Sequence, residues 1–540
     1  MQKIFARDTD YPWFWILTVA ALLVYLVALG NLPLRDWDEG TYAIISREMY
    51  RSQNWLYPTL HGAPFWEKPP LVYWLIASSY HLGGVSEWTT RLPLAIASAL
   101  AVPLVYGIGR HIFDRQLPAI FSAVVYLTLL PVVRHGRLAM HDGLAVTCFL
   151  FALWCLLKGE KRRVYLLGFG VGMALLTLSK GILVLLLGAI ALAFLLIDSP
   201  PGLSGGNRWY VFKSWYFWLG IGLSVIPVVA WYGLQIRAYG DVFIQVHFLN
   251  QSFDRISQAV HSNTGPPWYY LWELIKYSMP WFLFLPGGIY LAYQQWGQSW
   301  SCLVLLGLGI YFLPISLMGT KLPWYIIPLY PFVAWAVGAQ LTELWQQTRQ
   351  YSRYYSRQYS LLGRQIFTGI FGILTLGSVA GLVYFVLVDR QVVLILMAIN
   401  VILTMGLVTI LCWRQNHNYL ISLAGGLYLS LVLLMCSRSW LWELNEAFPV
   451  YPVAALVKTQ TPVNAAIYTS YPYHRPSLNF YSDRRIQPQD INTLNQLWTT
   501  SPPESPPYLL LDQPVLEKLN LANSQVLGTA EGLTLIGKRR

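Results

Sequence analysis

The chain has 540 residues, 55% of them hydrophobic and only 11% charged, where soluble domains carry roughly 25% charge. That balance excludes an ordinary soluble protein, and charge-free runs of about 20 residues, the length that crosses a bilayer, identify a multi-pass membrane protein. The formal net charge of +12 would suggest nucleic acid in a soluble chain. Here it is read as a topology signal suited to anionic membrane lipids, and no nucleic-acid partner is expected.

Division at the charges predicts about thirteen spans, at 11–34, 92–109, 116–133, 143–157, 164–179, 181–197, 214–236, 277–293, 300–319, 322–342, 365–388, 391–413 and 415–437. Lys3 and Arg7 precede the first, and no small-residue cleavage site follows it, so it is read as an uncleaved span. With a cytoplasmic N-terminus the inside segments are about twice as dense in Lys and Arg as the outside loops. The clearest clusters are Lys158, Lys161, Arg162 and Arg163, and Arg349, Arg353, Arg357 and Arg364. The odd number of spans places the C-terminus outside. Residues 69–86 are apolar only in their first half, which predicts an interfacial or re-entrant helix; counting them as a span would move the Lys158–Arg163 cluster outside.

The expected fold is therefore mainly α: a transmembrane domain over 1–437 with long external loops at 35–91 and 237–276, then a small external α/β domain over 438–540. In that tail "AAIYTS", "YLLLD" and "SQVLGTAEGLTLIGK" have strand composition, and 513–522 is helical. The five cysteines all fall in apolar runs without CxxC spacing, which excludes a disulfide framework and a thiolate zinc site.

Polar residues on the predicted external face come next, in chain order. Asp36, Asp38 and Glu39 put three carboxylates in four residues at the membrane surface. Helix capping accounts for one or two of them; a site accounts for the rest. Lys68, in Trp66-Glu67-Lys68-Pro69-Pro70, precedes a helix start, where backbone N–H groups point outward, and suits a phosphate clamp as well as simple snorkelling. The loop 134–142 holds Arg137 and Asp142, Lys180 stands alone between two spans, and Lys321 and Tyr325 share a tight turn. Ionisable groups at membrane depth are functional candidates by default. The loop 237–276 carries His247, Arg255 and His261, two histidines whose spacing is weak evidence for a metal.

The order "WDEGTYA", "FWEKPPLVYWL", "RLAMHD", "LSKG", "DRI…PPWYY" and "KLPWYIIP" resembles the GT-C membrane glycosyltransferases that use polyprenyl-phosphate donors, of the bacterial aminoarabinose transferase and protein O-mannosyltransferase-like type. The resemblance runs end to end. It implies a polyprenyl-phosphate-linked sugar donor and a lipid, glycan or protein acceptor on the external face of the plasma membrane. It further implies Asp38 as catalytic carboxylate with Glu39 beside it; Lys68, Arg255 and Tyr325 on the donor phosphate; and Asp142, Arg137, Lys180 and Lys321 lining the cavity. In the aminoarabinose transferases the resemblance would place a histidine shortly before the arginine, pairing with Glu67 around a divalent metal ion. This chain has Asn250 to Asp254 there, so only His247 or His261 could serve. The other classes considered are a lipid-linked sugar transporter or flippase, which would place polar residues near the midplane in related halves, and a structural subunit.

Overall fold

The computed structural model describes residues 10–198, 208–257, 263–350, 359–441, 449–502, 506–519 and 521–539. The chain packs as two compact units, one of Met1–Leu29, Trp66–Leu71 and Leu92–Trp440, the other of Gly30–Phe65, Val72–Arg91 and Leu441–Arg540.

Among the described residues eight helices are long and apolar enough to cross a membrane: Glu87–Ile112, His141–Lys158, Trp215–Tyr239, Ser299–Leu317, Pro323–Gln347, Gln365–Asp389, Val392–Trp413 and Tyr419–Cys436. Each coincides with an expected span. The other five expected spans are short or broken. Pro12–Leu26, Leu166–Lys180 and Leu183–Ile197 fall below the usual crossing length. Residues 116–133 bend by 58° between Gln116–Thr128 and Leu130–Arg137, because Pro131 in the first turn of the second helix has no N–H to continue the ladder and its ring would clash with the preceding turn. Residues 277–293 are split among Tyr269–Ser278, Trp281–Phe284 and Leu285–Gln294, with Pro280 and Pro286 at the joints. A charge-free run thus fixes apolarity but not helix length.

Two of the eight are largely enclosed: Pro323–Gln347 buries 89% of its apolar window and His141–Lys158 78%, against 6% for Gln365–Asp389. His141–Lys158 runs antiparallel to Leu166–Lys180, and Gly172 lets them touch, since a Cβ there would lie 2.7 Å from that of Ala152. The hairpin brings Asp142, at the start of one helix, beside Lys180, at the end of the other. The five cysteines are free.

In the second unit a five-stranded sheet runs in the order Ile486–Pro488, Ile467–Thr469, Tyr508–Asp512, Leu533–Lys538, Ser524–Ala530; the first two pairings are parallel and the last two antiparallel. Alternation separates its faces: Leu510 packs with Val453, Val457 and Ile467, whereas Leu509 and Leu511 pack with Leu494 and Trp498. The expected helix at 513–522 is reduced to Gln513–Leu516, and Ile486–Pro488, too short to signal itself, is an additional strand. Helix Asp38–Ser52 joins this unit through Leu34, Ala43 and Ile44, which pack on Phe480. Residues 71–83 form a helix, Leu71–Gly83, that follows Pro69 and Pro70.

Candidate functional site

The three carboxylates of Arg35–Glu39 sit in three different environments. Glu39 is fully buried: Oε1 and Oε2 accept from Arg91 Nε and Nη2, both at 2.8 Å, and Oε2 also accepts the Arg35 backbone N–H at 2.8 Å. Arg91 spends its remaining donors on the Leu32 and Pro33 carbonyls. Asp36, also buried, accepts from the Ser477 hydroxyl, the Ser477 N–H at 3.1 Å and Arg475 Nη1 at 3.0 Å. Burial pushes its carboxyl above the usual carboxylate range, and the Ser477 and Arg475 contacts oppose that shift.

Asp38 is different. It is half-buried, opens helix Asp38–Ser52 and has no hydrogen-bond or ion-pair partner among the described residues. The residue before it, Trp37, stands at φ 65° and ψ −115°, a conformation that L side chains rarely adopt and that costs about 1–3 kcal/mol. Sequence reasoning grouped Asp38 and Glu39 as a catalytic pair. The geometry separates them, because every oxygen of Glu39 is committed to holding the loop.

A second group forms inside the other unit. Lys180 Nζ pairs with Asp142 and lies 5.4 Å from the centre of the Tyr325 ring. The Tyr325 hydroxyl accepts from Arg255 Nη1 at 3.0 Å, and its backbone carbonyl accepts from Tyr311. Lys68 Nζ donates to Gln251 Oε1 at 3.0 Å. Gly181, at φ 43°, abuts Pro69, Tyr232 and His247, and His141 is within electrostatic reach of both Lys68 and Lys180. Lys68, Lys180, Arg255 and Tyr325 therefore belong to one locality of three cations and a phenol, with one carboxylate buried among them. Preorganised donors of this kind suit a phosphate. Lys180→Met, which strands the Asp142 charge, should destabilise the protein by about 3 kcal/mol, and adding Asp142→Asn should recover most of that; thermal unfolding in detergent measures both.

Two expected cavity-lining residues are engaged by backbone carbonyls. Arg137 is completely buried, donates to the Val24 and Tyr25 carbonyls at 2.7 and 3.2 Å and lies 4.8 Å from the Trp440 ring. Lys321 Nζ donates to the Ile315 and Ser316 carbonyls at 3.0 and 2.6 Å. Both cations serve the last turn of a helix, Asp10–Leu26 and Ser299–Leu317 respectively, whose carbonyls lack intrahelical partners and carry the negative end of the dipole.

Of the candidate metal ligands, His247 has both ring nitrogens in hydrogen bonds. His247 Nδ1–H donates to the Trp66 carbonyl at 2.7 Å, and Nε2 accepts from the Tyr232 hydroxyl at 3.2 Å. Glu67 is exposed, His261 lies outside the described residues, and among the described residues no group of three or more His, Cys, Asp or Glu could hold a metal ion. Burial and the Lys68 charge push His247 down to about 4, and burial with Arg485, His474 and Arg47 does the same to His61. Both are neutral at pH 7. Protonation favours the unfolded chain, whose imidazoles hold the proton more tightly, so their contribution to stability is present above about 6.5 and lost as pH falls toward 4. Thermal unfolding should show that decline, reduced in a His61→Gln, His247→Gln double variant.

Comparisons with known proteins concern the fold and the sequence as a whole. Residues 67–232 match the family model for dolichyl-phosphate-mannose-protein mannosyltransferase. Undecaprenyl phosphate-alpha-4-amino-4-deoxy-L-arabinose arabinosyl transferase 1 of Pseudomonas fluorescens is 29% identical over 338 residues, 61% of this chain and 59% of that protein. The transferase of Erwinia tasmaniensis is 30% identical over 310 residues, 57% of this chain and 55% of its own length. The chain thus spans less than two thirds of these relatives. ArnT from Cupriavidus metallidurans, solved with undecaprenyl phosphate, superposes with a TM-score of 0.75 at 18% identity over 97% of this chain and 98% of that one. The chain shares the ArnT fold. The archaeal oligosaccharyltransferase AglB of Archaeoglobus fulgidus follows at a TM-score of 0.57 and 12% identity, over 94% of this chain and 70% of AglB.

Arg91, Arg475 and Ser477 were missed by sequence reasoning. Arg91, a cation at the mouth of an apolar run, signals that it needs a partner without saying which. Nothing in the sequence links Arg475 or Ser477 to Asp36, more than 430 residues away.

Proposed function

We propose that the protein is an integral-membrane glycosyltransferase that moves a sugar, a pentose by analogy with its relatives, from a polyprenyl-phosphate donor to an external lipid, glycan or protein acceptor. The observation that carries this reading is the arrangement of the acidic loop, where Asp36 and Glu39 are anchored and Asp38 has no partner among the described residues. Asp38 takes the proton of the acceptor hydroxyl as its oxygen attacks the anomeric carbon. The bond from that carbon to the phosphate oxygen breaks, and the electron pair stays on the phosphate. Lys68, Arg255 and Tyr325 hold that phosphate and stabilise the charge as it develops; Lys180, paired with Asp142, stands beside the Tyr325 ring. Glu39 positions the loop. No step is routed through a metal. The density of Lys and Arg supports a plasma-membrane topology with a cytoplasmic N-terminus and an external C-terminal α/β domain, the five short or broken apolar segments completing thirteen crossings.

The phosphate assignment is tested by equilibrium binding of undecaprenyl phosphate to the purified protein. Lys68→Ala and Arg255→Gln should each weaken binding about tenfold or more, as expected for loss of a charge-assisted hydrogen bond. Unchanged affinity in both would remove these residues from the site.

A further inference from the structure

The unpaired state of Asp38 depends on how firmly its neighbours are held, and the holding comes from the far end of the chain. The Leu34 N–H donates to the Tyr481 hydroxyl at 2.7 Å. The Asp36 carboxylate takes three donors from Arg475 and Ser477. Trp37 packs on Tyr473 at 5.4 Å between ring centres. At Gly40 any Cβ would fall 2.7 Å from the Ser477 nitrogen, so helix Asp38–Ser52 and the start of helix Pro476–Ser482 meet backbone to backbone. Residues 34, 36, 37 and 40 are each fixed by the segment 473–481; Asp38, in their midst, has no partner among the described residues.

The Arg475 side chain is itself immobilised. Its guanidinium lies 4.4 Å from the Tyr471 ring and 5.3 Å from the Tyr473 ring, and Nη2 donates to the Tyr473 hydroxyl at 3.2 Å. The Ser477 N–H, one of the first-turn donors with no intrahelical acceptor, is satisfied by Asp36. The same contacts that complete the tail helix therefore set the backbone two residues before Asp38 and supply the local counter-charge to Asp36.

We infer that Arg475 and Ser477 are positioning residues for Asp38, so that the C-terminal segment is part of the catalytic apparatus through the Asp36 clamp and is not only a folded appendage. This rests on the assignment of Asp38 as the base. The clamp keeps the Asp38 carboxylate placed to take the acceptor proton, and Arg475 supplies the counter-charge to Asp36. The effect falls on the chemical step; the donor-phosphate residues lie in the other unit and should bind as before.

The test uses the full-length protein in lipid nanodiscs. Arg475→Met, which keeps the stem over the tyrosines, should lower kcat about tenfold or more, the scale expected when a reacting group is misplaced by a fraction of an ångström to one ångström. Donor KM and undecaprenyl phosphate affinity should stay within about twofold, since uniform binding is untouched. Arg475→Lys, which keeps a charge and one donor for Asp36, should recover most of kcat; Ser477→Ala should lose less than Arg475→Met. Wild-type kcat in Arg475→Met would overturn the inference, as would kcat and undecaprenyl phosphate binding falling together without rescue by lysine, which marks a general folding defect. Failure of the underlying assignment is separate: it shows as wild-type transfer by Asp38→Asn.

Discussion

Asp38→Asn should abolish the proposed sugar transfer and leave the protein nearly as stable as the wild type. A positioned general base contributes about 10²–10⁴ in rate, so transfer should fall at least about a hundredfold. Stability is spared because no side chain in the folded protein depends on this carboxylate: among the described residues it has neither a hydrogen bond nor an ion pair. Its one structural contribution is negative charge at the start of helix Asp38–Ser52, worth about 0.3–1 kcal/mol. Undecaprenyl phosphate binding should also be retained, since the cations proposed for it are elsewhere. Transfer at the wild-type rate would show that Asp38 is not the base.

Glu39→Ala, one residue further on, should behave in the opposite way. Glu39 and Arg91 are both completely buried and joined by two 2.8 Å hydrogen bonds. Removing one partner strands an uncompensated charge, a loss of about 3–5 kcal/mol, visible as a large drop in the thermal unfolding midpoint. Glu39→Gln should share most of that loss, because it also leaves Arg91 without a counter-ion. The Glu39→Ala, Arg91→Met double variant should recover much of the stability, since the stranded charge is gone. Activity would fall in the single variants as a consequence of lost folding. Matching phenotypes for Asp38→Asn and Glu39→Ala, with both folded and both inactive, would restore the two acids as a catalytic pair.

The contrast between these neighbours shows what the sequence could and could not reveal. Three acids in four residues beside an apolar run announce a site, because charge at a membrane surface is costly without purpose. Their division of labour depends on Arg91, Arg475 and Ser477, which become neighbours only in the folded chain. Lys68, Lys180, Arg255 and Tyr325 were legible from local motifs, and the fold brings them into one locality. Arg137 and Lys321 carried the same signal as those four, a cation at the external edge of an apolar segment. Their partners are backbone carbonyls at helix ends, and these leave no mark on a sequence.

Helix length was obscured for a similar reason. The eight long apolar helices all stand where charge-free runs predicted them, because transfer into lipid is decided by side-chain polarity. The interruptions at Pro131 and Pro280 are backbone events that hydropathy does not weigh. In the tail, the composition of "YLLLD" was readable as a strand, Tyr508–Asp512; the three-residue strand Ile486–Pro488 was too short to leave a period.

The central claim is that a glycosidic bond changes partners at this protein. The most direct measurement is the fate of a polyprenyl-phosphate donor carrying a radiolabelled sugar, supplied with cell-envelope acceptors to purified protein in proteoliposomes. The account predicts that label leaves the polyprenyl phosphate and appears on an acceptor, that free polyprenyl phosphate accumulates in equal amount, and that both are lost in Asp38→Asn. Label that stays on the polyprenyl phosphate while the intact lipid-linked sugar crosses the bilayer would contradict it and identify a transporter.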